Sequence, residues 1–354
     1  MWVFGFGLWS LAFWLLASGF WLIFASMSNV TYLQTARDRL ESLPAVQLGH
    51  LPSPLDELTR LRDAIRLEAR LVAKRDDAIP FGFGGNKVRK LTLVAARALD
   101  NGADSLITCG GVQSNHCRAT AATAAVMGLE CHIVANGTKP DRPTGNALLV
   151  SLYGAHVTYV PSRPERAPMM DHVAADLRSR GRNPFVIPLG ASTPLGAMAL
   201  ARGVKELVEQ GLEPDVIVHA SSSGGTQAGL IAGCALYSPK TRVIGVSADD
   251  SAADISQTVL AIIAGIENAL GVGSGALGGG DRCEVDDSMV GEGYGIPTPA
   301  SREAQDLAAR YEAIITDHWY SAKAMAGLIT RARNGAFDRQ RTVLFWHTGG
   351  QLFV

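Results

Sequence analysis

SLITCGGVQSNHCRATAATAAVM, residues 105–127, is the stretch that decides the fold. Ser105 to Cys109 reads as a short apolar strand, Gly110 to Asn115 as a glycine-rich loop, and Ser114 to Met127 as an alanine-rich helix. A strand apolar throughout is buried on both faces, and a helix directly after it points to a crossover connection in a parallel sheet. The pattern extends in both directions. Toward the N-terminus, Asn101-Gly102 closes a helix over Val88 to Leu99, which follows the glycine-rich loop Phe81 to Lys87. Before that loop, Leu67 to Lys74 alternates, with Leu67, Ala69, Leu71 and Ala73 on one face of a strand. Pro52 to Leu58 reads as a turn leading into a helix.

Toward the C-terminus, strands are expected at Glu130 to Ala135, His156 to Val160, Pro184 to Pro188, Val216 to Ala220, Arg242 to Ser247 and Arg341 to Trp346. Helices are expected at Asn146 to Tyr153, Leu195 to Gln210 and Gln227 to Leu236. Gly271 to Gly280 is a glycine-rich loop, placed near the surface or near a site. Such alternation defines an α/β fold. The strand count and the 354-residue length exceed one comfortable sheet, so two open, mostly parallel twisted sheets are expected, with helices on both faces.

Composition excludes several functions. A formal net charge of −1, with no long basic run, supplies no field to gather nucleic acid or acidic membrane. Five scattered cysteines without a CxxC pair make neither a disulfide framework nor a zinc site, and no metal is expected. The N-terminus is unusual: Met1 to Ala36 carries no charge, and Trp2 to Ala25 is nearly all apolar. Residues 1–26 read either as an anchor with the basic Arg37 side in the cytoplasm, or as an extension upstream of a start at Met27. The expected location is cytoplasmic in both cases, tethered in the first and soluble in the second.

Three loops carry chemistry, and open α/β sheets place ligands at the C-terminal ends of their strands. In Gly84-Gly85-Asn86-Lys87-Val88-Arg89-Lys90, the glycines allow close backbone approach and Lys87 stands at a helix start. The positive helix end disfavours a charged amine there, and a neutral amine is what Schiff-base chemistry requires. In Gly110-Gly111-Val112-Gln113-Ser114-Asn115-His116, the following helix offers free N–H groups to an anion. Ser221-Ser222-Ser223-Gly224-Gly225-Thr226 has the make-up of a phosphate cradle, yet is neither a Walker A loop nor a GxGxxG fingerprint. A phosphate on something other than a nucleotide fits it.

GGNKVRKL (84–91), ITCGGVQSNHCRATAA (107–122), TGNALL (144–149) with LYGAH (152–156), SSSGGTQAGL (221–230), GYGIP (293–297) and HTGG (347–350) occur in order. Together they resemble the D-cysteine desulfhydrase and 1-aminocyclopropane-1-carboxylate deaminase family, within the tryptophan synthase β-like group of pyridoxal phosphate enzymes. The resemblance implies a large cofactor-binding domain over 27–88 and 190–354, a small domain over 89–189, and a homodimer. It implies pyridoxal phosphate as cofactor, linked covalently to Lys87, which also moves the α-proton. Asn115 is implied at the cofactor's phenolic oxygen, and Ser114 at the substrate carboxylate. Ser222, Ser223, Gly224, Gly225 and Thr226 with Lys90 are implied at its phosphate, and Thr348 of HTGG at the cofactor. Tyr294 and Tyr320 match two tyrosines that flank the substrate.

Ser321 follows the second tyrosine, where the resemblance implies a residue facing the pyridine nitrogen. The deaminases share a glutamate there. A serine hydroxyl is a poorer partner for a protonated ring, which disfavours cyclopropane opening and favours α,β-elimination of a desulfhydrase kind. The implied reaction on a small amino acid such as D-cysteine gives pyruvate, ammonia and sulfide. An L-cysteate sulfo-lyase, an aminocyclopropane carboxylate deaminase and an amino-acid racemase are the alternatives on this fold. A membrane-tethered amino-acid or cofactor binder without turnover is the alternative of another class. Two stretches depart from the family pattern: Ile79-Pro80-Phe81-Gly82-Phe83 is more aromatic, and Gln351 follows HTGG with several residues missing before Leu352-Phe353.

Overall fold

The computed structural model describes residues 32–352, so the apolar segment 1–26 and its alternative start at Met27 lie outside the described residues. A helical stretch over 32–42 comes first and buries Ala36 and Leu40 in the largest core. The chain continues with β1 (Leu55–Glu57), α1 (Thr59–Ala64), β2 (Arg70–Arg75), α2 (Asn86–Asp100), β3 (Ser105–Gly111), α3 (Asn115–Met127) and β4 (Glu130–Asn136). Next are α4 (Gly145–Leu152), β5 (His156–Val160), α5 (Arg166–Ser179), β6 (Pro184–Val186), α6 (Pro194–Glu209), β7 (Val216–Ser221) and α7 (Gly225–Tyr237). The last are β8 (Arg242–Ser247), α8 (Ala252–Leu270), β9 (Glu284–Asp286), α9 (Pro299–Glu312), α10 (Ser321–Arg333) and β10 (Thr342–His347).

Two sheets form, as expected. The first has six strands in the order β1-β2-β10-β7-β8-β9, and the second four in the order β5-β4-β3-β6. All pairings are parallel except that of β1 with β2. Strand period explains the cores. Leu67, Ala69, Leu71 and Ala73 enter one core with Val216, Val218, Val343 and Phe345, while Val72, Ile217, Leu344 and Trp346 face the other side. Hydroxyls cap two of the helices that border the site: Thr193 accepts from Gly196 N ahead of α6, and Ser114 from Cys117 N ahead of α3.

Several boundaries differ from expectation. Leu55 to Glu57 is an edge strand rather than the start of a helix, because it pairs with Val72 to Lys74; the helix begins only at Thr59. Helix α2 starts at Asn86, which puts Lys87 inside its first turn. Helices α5, α8, α9 and α10 had no sequence assignment; α5 is polar and carries Pro168 near its start, which hides its periodicity. The Gly271–Gly280 loop packs Val272 and Leu277 into the core beside α8 and contributes nothing to the cleft described below. All five cysteines are free, four of them buried.

Candidate active site

The C-terminal ends of β3, β4 and β7, with the loops after β5 and β8, converge on one cleft of about 1230 Å³, counting its open mouth. Lys87 reaches it from α2, Ser114 and Asn115 from the end of β3, and Ser222, Ser223, Gly224 and Thr226 from the end of β7. Tyr294, Tyr320 and Thr348 complete it. Lys90, Gly225 and Ser321 do not line the cleft.

The loop before α2 is shaped by contacts that only glycine permits. A Cβ on Gly84 (φ 64°) would stand 2.3 Å from Asp77 O, and one on Gly85 (φ 100°) 2.9 Å from Thr348 O. Asn86 N in turn donates to Thr348 O, so the HTGG stretch and the lysine helix are sewn together. Lys87 keeps some exposure to the cleft, yet protein encloses it closely enough that burial lowers its amine to about 8, against a weaker raising effect from Lys90. Burial thus lowers the amine, where the sequence pointed to the helix dipole. Lys90 is held well below the usual lysine range by burial and by the neighbouring Lys87 charge.

Lys90 stands directly behind the serine-glycine turn. Its Nζ donates to Gly190 O (3.1 Å) and Ser192 Oγ (3.2 Å), and lies 2.9 Å from where a Cβ on Gly225 would be. Ser192 Oγ shares a 2.8 Å hydrogen bond with Ser223 Oγ, and Asn86 Nδ2 donates to Thr226 Oγ1 at 2.8 Å. Backbone amides at the start of α7, hydroxyls and the Lys90 amine beneath them make a cradle suited to a phosphate.

On the β3 side, Asn146 Nδ2 donates to the Gln113 carbonyl (2.9 Å) and to Asn115 Oδ1 (2.8 Å). With its oxygen bound in this way, Asn115 keeps its NH2 group to donate, and the residue lines the cleft. Ser114 Oγ accepts the cap bond and keeps its own proton to give. Tyr294 and Tyr320 share a hydroxyl–hydroxyl bond of 2.6 Å, with their rings edge to face, and burial raises both phenols above the usual range. Ser321 is buried against Asp317: its N–H donates to Asp317 Oδ1 at 2.7 Å, its O–H to the same oxygen, and Asp317 N donates to its Oγ at 2.9 Å. Its proton is therefore committed to a carboxylate.

Sequence reasoning missed Ser192, which belongs to no motif, and Asn146, which lay in TGNALL without an assigned role. It also missed the charged groups at the mouth: Arg163 and Arg166 at the start of α5, and Asp249 and Asp250 after β8.

A two-sheet α/β scaffold with an enclosed, readily neutral lysine facing an anion cradle defines an enzyme of the kind that carries a phosphorylated aldehyde on a lysine. Residues 46–349 match the family model described as "Pyridoxal-phosphate dependent enzyme", and the chain belongs to that family and uses that cofactor. The D-cysteine desulfhydrase of Klebsiella pneumoniae (strain 342) is 37% identical over 319 residues, covering 88% of this chain and 95% of that one. The D-cysteine desulfhydrase of Salmonella typhi is 37% identical with the same coverage. A crystal structure of an ACC deaminase homologue superposes with a TM-score of 0.81 at 32% identity, over 89% of this chain and 94% of the other.

If burial sets the state of Lys87, capture of the cofactor follows its neutral fraction. Below about pH 8 that fraction falls about tenfold per pH unit. The second-order rate of pyridoxal phosphate uptake by cofactor-free protein, followed by stopped-flow absorbance, is expected to rise with pH and flatten above about 8. A rise continuing to pH 10 would assign the amine an ordinary lysine environment.

Proposed function

We propose that this protein is a lyase that removes the β-substituent of a small amino acid, in the manner of the D-cysteine desulfhydrases it resembles, with D-cysteine and water giving pyruvate, ammonia and sulfide. The observation that carries the reading is the single cleft in which Lys87, with its amine lowered to about 8, shares its walls with the Ser222–Thr226 turn. Bound pyridoxal phosphate supplies an electron sink for charge developing at the α-carbon.

The chain's own groups do the rest. Lys87 Nζ would hold the cofactor and would serve as the base for the α-proton. The amides and hydroxyls of Ser222, Ser223, Gly224, Gly225 and Thr226 would hold the phosphate, with the Lys90 amine behind them as a further donor. Asn115 Nδ2 would donate to the phenolic oxygen, and Thr348 would border the cofactor. Ser114 Oγ and the amides around it receive the substrate carboxylate. The Tyr294–Tyr320 pair hands a proton to the departing group. Ser321 is assigned to the ring-nitrogen end of the cofactor on the family resemblance, from behind the cleft wall; its hydroxyl gives its proton to Asp317 and accepts from Asp317 N.

The large domain is assigned to 27–88 and 190–354 and the small one to 89–189, in keeping with the separate β5-β4-β3-β6 sheet. A cytoplasmic homodimer is proposed on the family resemblance; among the described residues no helix is long and apolar enough to cross a membrane. Holoenzyme assayed with D-cysteine, D-serine and aminocyclopropane carboxylate tests the reaction. Pyruvate with stoichiometric sulfide from D-cysteine is expected; 2-oxobutyrate from aminocyclopropane carboxylate as the dominant product would replace the lyase reading with the deaminase one.

A further inference from the structure

Arg118 is a cation in a place that disfavours one. It stands near the N-terminal, positive end of α3 and is 1% exposed. Among the described residues no carboxylate pairs with it. Burial lowers the guanidinium to about 10, and only the Tyr153 phenol acts to raise it. It stays charged at neutral pH all the same. The two carboxylates of the cleft, Asp249 and Asp250, do not act on it. Nη2 donates to Gly84 O at 2.7 Å, and a Cβ on Gly85 would stand 3.8 Å from that nitrogen, so the guanidinium lies against the loop that launches Lys87. Nη1 reaches Asn115 Oδ1 at 3.4 Å and Asn146 Oδ1 at 3.3 Å, and the buried Nε has no partner.

A guanidinium carries donors only, so each amide it meets must present its oxygen. Asn146 accordingly gives its oxygen to Arg118 and its Nδ2 to Gln113 O and Asn115 Oδ1, at 2.9 and 2.8 Å. The Asn115 oxygen takes that short bond together with the longer contact from Arg118, and Nδ2 is the group Asn115 has left to offer. The 3.3 and 3.4 Å contacts are too long to bind firmly, but they fix polarity. Both amides thus share one direction, and it originates at a charge.

We propose that Arg118 is a positioning residue that holds the Asn115 amide with its N–H toward the cofactor's phenolic oxygen and so favours that oxygen ionised. The inference rests on the assignment of Asn115 to that oxygen. A hydrogen bond to an ionised acceptor is roughly twice as strong as one to a neutral group, so a fixed donor selects the ionised form. The unbalanced guanidinium behind the amide adds a preference of the same sign, weakly screened at a buried position. Without it, the Asn115–Asn146 pair is free to turn over, and both preferences go.

The test reads the absorbance of holoenzyme without substrate, together with its affinity for pyridoxal phosphate. Protonating the phenolic oxygen moves intensity from the visible band to the near ultraviolet. R118M is expected to raise the near-ultraviolet share at neutral pH and to weaken cofactor binding about tenfold, with R118K between it and the wild type. Asn146→Asp is the second variant. It keeps the shape, gives Arg118 a carboxylate, and sets an acceptor against Asn115 Oδ1, so the Asn115 amide should turn and the spectrum should shift as in R118M. Wild-type spectra in both variants would overturn the inference; should R118M fail to fold, Asn146→Asp alone decides it. Asn115→Ala separates the two readings. In that background R118M should change the band ratio by under about twofold more, because the effect runs through the missing amide. An undiminished effect would give Arg118 another route and overturn the inference. If Asn115→Ala by itself leaves the spectrum unchanged, the assignment of Asn115 fails first. A wild-type protein that takes up no cofactor ends both.

Discussion

Replacing Lys87 with alanine is expected to lower keto-acid formation by about 10⁴-fold or more, because one amine serves as both the covalent tether and the proton acceptor. The visible absorbance band of the holoenzyme should vanish with it. The fold should not suffer. Lys87 stands on a helix whose other first-turn residues carry the structural bonds: Asn86 to Thr226, Arg89 to Asp76 and Glu206, Lys90 to Gly190 and Ser192. Removing an enclosed amine that prefers to be neutral also removes a desolvation cost, so thermal stability should hold or rise slightly. Lys87→Arg, which cannot deprotonate, should be as inactive as the alanine variant. Retention of the band in Lys87→Ala would move the covalent role to Lys90, the other amine in reach of the turn.

Why this lysine was legible in the sequence, and others of the site were not, follows from where each signal resides. Glycine pairs beside Lys87 and in the 221–226 turn mark backbone that must pass close to something, and local sequence records that directly. Strand alternation at 67–73 and apolar runs at 105–109 and 216–220 record burial equally directly, so both sheets could be read. The role of Ser192 depends on what lies opposite it in space. Ser192 matters because Ser223, 31 residues later, and Lys90, 102 residues earlier, converge on its hydroxyl. Ser321 shows the same limit in reverse. Its place beside Tyr320 was evident, but its proton is bound to Asp317 by a helix-start geometry that composition does not encode. The boundary error at Pro52 to Leu58 has a related origin, since edge strands are fixed by their partner and three residues carry little pattern of their own.

Asp76→Ala is expected to destabilise the protein by about 3–5 kcal/mol, far more than loss of any exposed ion pair. Asp76 is fully buried and accepts from Arg89 Nε through both oxygens at 2.9 Å, from Ser53 Oγ at 2.9 Å and from Trp346 Nε1 at 2.8 Å. Arg89 also forks onto Glu206 with two 2.8 Å bonds, and Glu206 pairs with the buried Lys74. Two carboxylates thus balance two cations; deleting one leaves a buried positive charge. Its backbone is equally engaged, since Asp76 O accepts from Gly85 N at 2.7 Å and so fixes the turn that launches Lys87. Lys87 should therefore lose its position before the fold is lost, and cofactor release should precede the main urea transition, each followed by its own spectroscopic signal. Breaking the half-exposed Arg70–Glu57 pair is the control and should cost under about 1 kcal/mol. Acid reports on the same network. Burial alone would raise the Glu206 carboxyl, but the Arg89 bonds and charge, with Lys74, hold it at about 2 rather than 4.5. Its folded-state value is depressed, so its stabilisation is complete above about pH 4.5 and is lost as pH falls toward 2. Glu206→Gln should be less stable at neutral pH and lose less on acidification across that window; an acid limb of unchanged steepness would place the sensitivity elsewhere.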